Sequence, residues 1–139
     1  MASSSIFLDT NGWLGLLNIK DVNHAQANTT WLELGSRGCH IVLTDWVIAE
    51  TGNGLARTQI RDRFADAVDR IWTSPNVDIV TVYELLLAES VNYYRRHADK
   101  TWGLVDCASF LVMRDHGITD AFTSDKHFEQ AGFHCLLSL

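Results

Sequence analysis

The chemistry this chain could carry rests on four carboxylates that stand where apolar residues would be expected: Asp9, Glu50, Asp106 and Asp125. Asp106 is the plainest case. It lies inside Leu104-Val105-Asp106-Cys107-Ala108-Ser109-Phe110-Leu111-Val112-Met113, a stretch apolar on nearly all sides that predicts a buried helix. An unpaired carboxylate there is costly or takes up a proton, so something must compensate it. Asp9 closes the apolar run Ile6-Phe7-Leu8, and Asp125 follows Ala121-Phe122 through Thr123-Ser124. Both positions fall just beyond the C-terminal ends of predicted strands, where open α/β sheets bind ligands. Glu50 comes three residues after Val47 and four after Trp46, so helical spacing turns it to their inward face. Each acid also has an ordinary explanation: Asp9 and Asp125 as caps of following helices, Asp106 near a helix end, Glu50 reaching out to water.

The joint pattern carries more than its parts. Parallel strands deliver their C-terminal ends to one edge, so acids just beyond them converge, and converging carboxylates stay ionised only beside cations or basic groups. An oxygen-only ligand set selects hard ions such as Mg²⁺ or Mn²⁺. Carboxylates with such ions suit phosphodiester hydrolysis and need no serine or cysteine nucleophile. The other acids look like solvated surface charge; Asp62, Asp66 and Asp69, for example, decorate the outer side of an amphipathic helix.

The elements that must position these acids can be read from the apolar spacing. Strands are expected at Ile6–Leu8, Ile41–Leu43, Val77–Val82, Asp120–Phe122 and His134–Leu137. Helical patterns run from Gly12 to Leu17, His24 to Ser36, Thr44 (as N-cap) towards Leu55, Gln59 to Trp72, Tyr83 to His97 and Leu104 to Arg114. A turn or short helix covers Asp125 to Gln130. Short apolar strands alternating with helices predict a three-layer α/β/α domain with a central, mostly parallel sheet, spanning residues 1–139 as one unit. Met1 to Ser5 is expected to be a short tail.

Composition narrows the function classes. The chain has 139 residues, 47% of them hydrophobic, enough for a core without staples. No apolar run is long enough to span a membrane and no leader pattern is present, so a soluble cytoplasmic protein is expected. Cys39, Cys107 and Cys135 are odd in number and widely spaced, which argues for buried thiols over disulfides or a zinc knuckle. The six histidines make no i, i+4 pair, so imidazole metal chemistry is not expected. A net charge of −6 speaks against a general nucleic-acid binder, unless metal ions held by clustered carboxylates invert the local charge.

The segments Ile6-Phe7-Leu8-Asp9-Thr10-Asn11, Asp45-Trp46-Val47-Ile48-Ala49-Glu50, Leu104-Val105-Asp106-Cys107-Ala108-Ser109-Phe110 and Ala121-Phe122-Thr123-Ser124-Asp125-Lys126-His127-Phe128 together resemble PIN domains, especially the VapC-type toxins of toxin–antitoxin pairs. The resemblance spans essentially the whole chain, and its final third is the most specific part. It implies a Mg²⁺- or Mn²⁺-dependent endoribonuclease, the toxin of a type II pair. Asp9, Glu50, Asp106 and Asp125 would be the catalytic acids, with Asp9, Asp106 and Asp125 holding metal. Thr123, Asn11 and Ser109 would support the acids. Gly103 stands where a serine is expected before Leu104. The resemblance further implies a small antitoxin lying across the acidic groove and a homodimer. RNA contacts would come from Arg57, Arg61, Arg63, Arg95, Arg96 and Lys100. Two alternatives remain open: a catalytically idle PIN-like scaffold that binds RNA or protein, and a phosphatase using Asp9 as nucleophile. The latter lacks the second aspartate that its Asp-x-Asp motif would need.

Overall fold

The computed structural model describes residues 4–138. Its strands are β1 (Ser5–Leu8), β2 (His40–Thr44), β3 (Val77–Val80), β4 (Asp120–Phe122) and β5 (His134–Cys135). Its helices are α1 (Thr10–Leu17), α2 (His24–Ser36), α3 (Asp45–Leu55), α4 (Arg61–Thr73), α5 (Glu84–Arg96), α6 (Leu104–Asp115) and α7 (Lys126–Gln130). Every two successive strands are separated by at least one helix, so every link is a crossover and every pairing is parallel. The sheet is therefore fully parallel, not merely mostly so. Strand order is β3-β2-β1-β4-β5. The chain works outward from β1 through β2 to β3, then returns to the other side of β1 to lay down β4 and β5. The direction reverses between β1 and β4, and this is where an open α/β sheet leaves a crevice past its strand ends.

Burial follows from this order. Ile6, Phe7 and Leu8 of the central strand are at most 1% exposed, as a strand covered on both faces requires. On the helical layers, α1 packs against α2 and α3, α3 against α4, α5 against α6, and α6 against α7. Three aromatic rings tie α6 and α7 to β1: Phe110 meets Phe128 edge-on at 4.9 Å between centroids, and Phe128 sits 6.3 Å from Phe7. Trp102 extends the cluster, 5.0 Å from Phe110. Such pairs add to the burial of large apolar surfaces and fix relative orientation.

Several boundaries differ from the sequence-based expectation. Strand β3 ends at Val80 because the Val82 amide leaves the ladder and donates to Asp45 Oδ1 at 2.9 Å. Helix α4 begins at Arg61, after a turn in which Thr58 Oγ1 accepts from the Ile60 amide. Strand β5 stops at Cys135: the Leu136 amide still donates to the Ala121 carbonyl in step with the ladder, but the Leu137 amide turns to the Thr123 carbonyl. Ser5 already pairs with His40 and is not tail; residues 1–3 lie outside the described part. Thr44 caps α3 as expected, accepting the Val47 amide at 3.1 Å. Cys39 and Cys107 are buried free thiols and Cys135 is half-buried. Trp13 and Trp102 lie in the core whereas Trp72 is 70% exposed, so the tryptophans do not share one role. Among the described residues, no helix is long and apolar enough to cross a membrane.

One close approach sets α1 against the end of β4. A Cβ on Gly12 would come within 2.0 Å of the Phe122 carbonyl oxygen, a backbone atom that cannot swing aside. Only glycine lets the first turn of α1 press against the end of β4. Gly12→Ala should therefore destabilise the fold by about 3 kcal/mol in urea titration, at the upper end of overpacking costs. An unchanged unfolding midpoint would contradict this contact.

Candidate active site

The register of β1 and β4 sets the site. Leu8 pairs with Phe122, so the next residues, Asp9 and Thr123, emerge side by side past the sheet edge. Thr123 Oγ1 donates to Asp9 Oδ2 at 2.8 Å, joining positions 114 residues apart in the chain. The Thr123 oxygen in turn accepts the Asp125 amide at 3.1 Å. Asn11 braces the same loop: its Oδ1 accepts from the Ser124 amide at 2.8 Å and from the Ser124 hydroxyl at 3.0 Å. Asn23 Nδ2 donates to the Ser124 hydroxyl from the other side at 3.2 Å.

Asp106 arrives from a different direction. It occupies the first turn of α6, where its Oδ2 accepts the Gly103 amide at 3.1 Å. The half-exposed helix end foreseen as its ordinary explanation is real, yet the same position turns the carboxylate toward Asp125 and His127. With no side chain at Gly103 to cap the helix, Asp106 supplies the reciprocal bond alone. Asp125 is the N-cap of α7, its Oδ1 accepting the His127 amide at 2.9 Å, so its capping and site roles coexist. Asp9 differs from both: it precedes α1 without making a side-chain capping bond.

The electrostatics follow from burial and crowding. Asp9 is 4% exposed. Burial, together with the charges of Asp106 and Asp125 and against the Thr123 hydrogen bond, pushes its pKa up from 3.8 to about 7. Asp106 is also shifted upward, first by burial and then by Asp125, with the Gly103 amide and His127 opposing. Burial pushes the thiols of Cys107 and Cys135 up to about 11, which keeps them protonated and unsuited to nucleophilic attack.

Two other anticipated residues stand apart. Glu50 is exposed on α3, not turned inward. The inward face of α3 belongs to Val47 and Thr51, whose carbonyl and hydroxyl meet Thr10 on α1. Glu50 therefore follows the snorkelling alternative, and the carboxylates that act on Asp9 are Asp106 and Asp125. Ser109 is buried, and its hydroxyl donates to the Val105 carbonyl one turn back at 2.9 Å, not to the acids. Conversely, His127 belongs to the site although its imidazole was not anticipated there. Its Nδ1 lies 3.0 Å from Asp106 Oδ2 and 3.6 Å from Asp125 Oδ1. The available signal was its place two residues after Asp125, at the start of a short helix, which a search for i, i+4 histidine pairs overlooks.

A parallel sheet in this order, with carboxylates gathered past β1 and β4, defines a recognisable class. The PIN domain model matches residues 6–134, and the chain belongs to the PIN-domain family of nucleases. It is 33% identical over 129 residues to VapC20 of Mycobacterium tuberculosis, a 23S rRNA-specific endonuclease, covering 92% of this chain and 95% of that protein. The crystal structure of the same VapC20, described as a sarcin-ricin loop cleaving toxin, superposes with a TM-score of 0.80 at 32% identity, covering 92% and 95% of the two chains. A chain of the Rickettsia felis VapBC2 complex, solved with a promoter DNA fragment, shares the fold with a TM-score of 0.65 at 13% identity over 94% and 96%.

The raised Asp9 pKa has a consequence for stability in the absence of divalent ions. Between pH 3.8 and about 7 the folded chain keeps a proton that the unfolded chain has released. Its contribution is whole below pH 3.8 and is lost as the pH rises through 7. Over about three units this amounts to about 4 kcal/mol. In EDTA, Asp9→Asn should be more stable than the parent chain at pH 8, with the gap narrowing as the pH falls toward 4. Urea unfolding across that range measures it, and a pH-independent gap would show that Asp9 is not the buried, crowded carboxylate described.

Proposed function

We propose that the chain is a metal-dependent endoribonuclease that hydrolyses RNA phosphodiester bonds at the Asp9–Asp106–Asp125 centre, acting as the toxin of a type II toxin–antitoxin pair. The observation that carries this reading is the gathering of Asp106 and Asp125 with His127 so that one ligand atom of each lies within 4.8 Å of the others, beside the buried Asp9 on which both carboxylates bear. Buried, mutually repelling carboxylates are a poor structural device, and a divalent cation converts that repulsion into attraction. The donor set is mainly carboxylate oxygen and fits Mg²⁺ or Mn²⁺. Asp9, Asp106 and Asp125 would hold the ion, which when bound activates water and offsets charge on the phosphate oxygens.

The chain's own groups supply positioning. The Thr123 hydroxyl fixes one oxygen of Asp9. Asn11 holds the Thr123–Asp125 loop so that Asp125 stays beside Asp106. The Gly103 and His127 amides orient Asp106 and Asp125 respectively. Glu50, on the exposed flank of α3, is proposed as an outlying catalytic acid that acts once RNA fills the crevice.

The likeness to a 23S rRNA endonuclease supports RNA as the substrate. The cations split into two groups. Arg95 and Lys100, with Tyr94, line a cavity of about 350 Å³ that also includes Thr101, whose hydroxyl lies 3.2 Å from His127 Nε2. Arg96 lies beside Arg95 and rests over the Tyr93 ring. Arg57, Arg61 and Arg63 are placed differently: Arg63 bonds the Leu17 carbonyl, at the end of α1 away from Asp9, and Arg61 bonds the Ala56 carbonyl. We therefore assign the main phosphate contacts to Arg95, Arg96 and Lys100, with Arg57 and Arg61 peripheral. An antitoxin segment across the crevice, a homodimer and a cytoplasmic setting complete the reading. Leu85 and Tyr94, both exposed on α5, give a partner chain apolar surface to cover.

Two measurements test this. Asp9→Asn and Asp106→Asn should each slow Mn²⁺-dependent cleavage of a single-stranded RNA at least about a hundredfold while leaving the circular-dichroism spectrum intact. Cleavage at the parental rate by both variants would refute the assignment, and binding without cleavage by the parent chain would favour the idle scaffold. In a binding assay with Asp9→Asn, removing Arg95 or Lys100 should lower the salt dependence by about one ion each. Removing Arg57 or Arg61 should change it less; the reverse order would move the RNA to the other flank.

A further inference from the structure

His127 is placed oddly for a residue that merely steadies its neighbours. Both carboxylates beside it are already oriented by main-chain donors: Asp106 by the Gly103 amide at 3.1 Å, Asp125 by the His127 amide at 2.9 Å. The ring is not needed to hold them. Its Nδ1 nevertheless points between them, and Asp106, Asp125 and His127 each offer a ligand atom such that all lie within 4.8 Å of one another. On its other side, Nε2 faces Thr101 Oγ1 at 3.2 Å.

A neutral imidazole has one N–H and one lone pair, and the partner of one nitrogen decides the state of the other. With the hydrogen on Nε2, donated to the Thr101 hydroxyl, the Nδ1 lone pair enters the same space as lone pairs of two carboxylates. In that tautomer a cation relieves the meeting, whereas with the hydrogen on Nδ1 the ring donates to Asp106 instead. Ligands that share an ion through bonds near 2.1 Å stand about 3 Å apart on the edge of an octahedron. That is the spacing His127 and Asp106 already have, at 3.0 Å. The segment carrying Thr101 is itself tied to α7, because Trp102 Nε1 donates to Gln130 Oε1 at 3.0 Å.

We propose that His127 is a metal ligand in its own right, joining Asp106 and Asp125 in a nitrogen-bearing site, with Thr101 as the positioning residue that holds the ring in the ligating tautomer. The inference rests on the metal-dependent reading above and deepens it. A nitrogen donor shifts the preference of an otherwise oxygen-lined site from Mg²⁺ toward first-row transition ions, so the site takes Mn²⁺ in preference to Mg²⁺.

The test is pulsed electron paramagnetic resonance of the full chain loaded with substoichiometric Mn²⁺, beside Mn²⁺ and Mg²⁺ titration calorimetry. The parent chain should show the nitrogen modulation of a directly bound imidazole. His127→Ala should lose it and bind Mn²⁺ about tenfold or more weakly, with little change for Mg²⁺. Thr101→Ala should keep the modulation but weaken Mn²⁺, and Thr101→Ser should restore the affinity. Mn²⁺ bound to the parent chain without nitrogen modulation overturns the proposal while leaving the nuclease reading standing. Modulation that survives in His127→Ala overturns it equally. Failure of the parent chain to bind Mn²⁺ at all takes the metal-dependent reading down with it.

Discussion

Everything in this molecule turns on keeping one carboxylate out of water within the field of two others. Asp9 is almost fully buried, and Asp106 and Asp125 both bear on it electrostatically. Left alone, that arrangement opposes folding at neutral pH, because burial and like charge both disfavour the ionised form. The fold tolerates it by supplying specific donors: the Thr123 hydroxyl to Asp9, the Gly103 amide to Asp106 and the His127 amide to Asp125. These bonds hold each oxygen in place but leave the summed negative charge uncompensated. That repulsion is what the divalent ion of the proposed function would relieve.

The scaffold sets this arrangement through a few local decisions. A central strand apolar on both faces brings Asp9 to the sheet edge beside β4, and Gly12 removes the one side chain that would hold α1 off that strand. The ring of Phe128, wedged between Phe7 and Phe110, couples the orientation of α7 to those of β1 and α6. Asp125 begins α7 and Asp106 lies one turn before Phe110, so packing in the core transmits directly to the separations among the acids. Rigid core contacts of this kind hold catalytic groups more closely than loops could.

The order of elements was legible because the apolar runs are short, well separated and alternate in period. Convergence of Asp9 and Asp125 could be inferred for the same reason, since parallel strands share an edge, whereas Asp106 stood out only as a carboxylate within an apolar helical stretch. What escaped was finer. Glu50 shares helical spacing with Val47, but periodicity reports which residues share a face, not which face meets a neighbour. Thr51 takes the inner position and Glu50 turns outward. His127 was missed because its partners come from α6 and from the turn before α7, a contact across 21 residues that no local spacing rule contains. The bracing of Ser124 by Asn11 spans 113 residues and is equally invisible until the strands are placed in register. Boundaries slipped where side chains captured backbone amides, as Asp45 does with Val82.

The bond between Asp9 and Thr123 joins residues 114 positions apart. A growing polypeptide emerges from the ribosome N-terminus first, so β1 and its aspartate wait while the 114 residues up to Thr123 are made before β4 can slot in beside them. Truncated or stalled products that end before Thr123 have no assembled centre, however well their earlier helices form. Assembly of the centre is thus a late event relative to β1: Asp9 meets its partner only once the residue 114 positions further along the chain has been made.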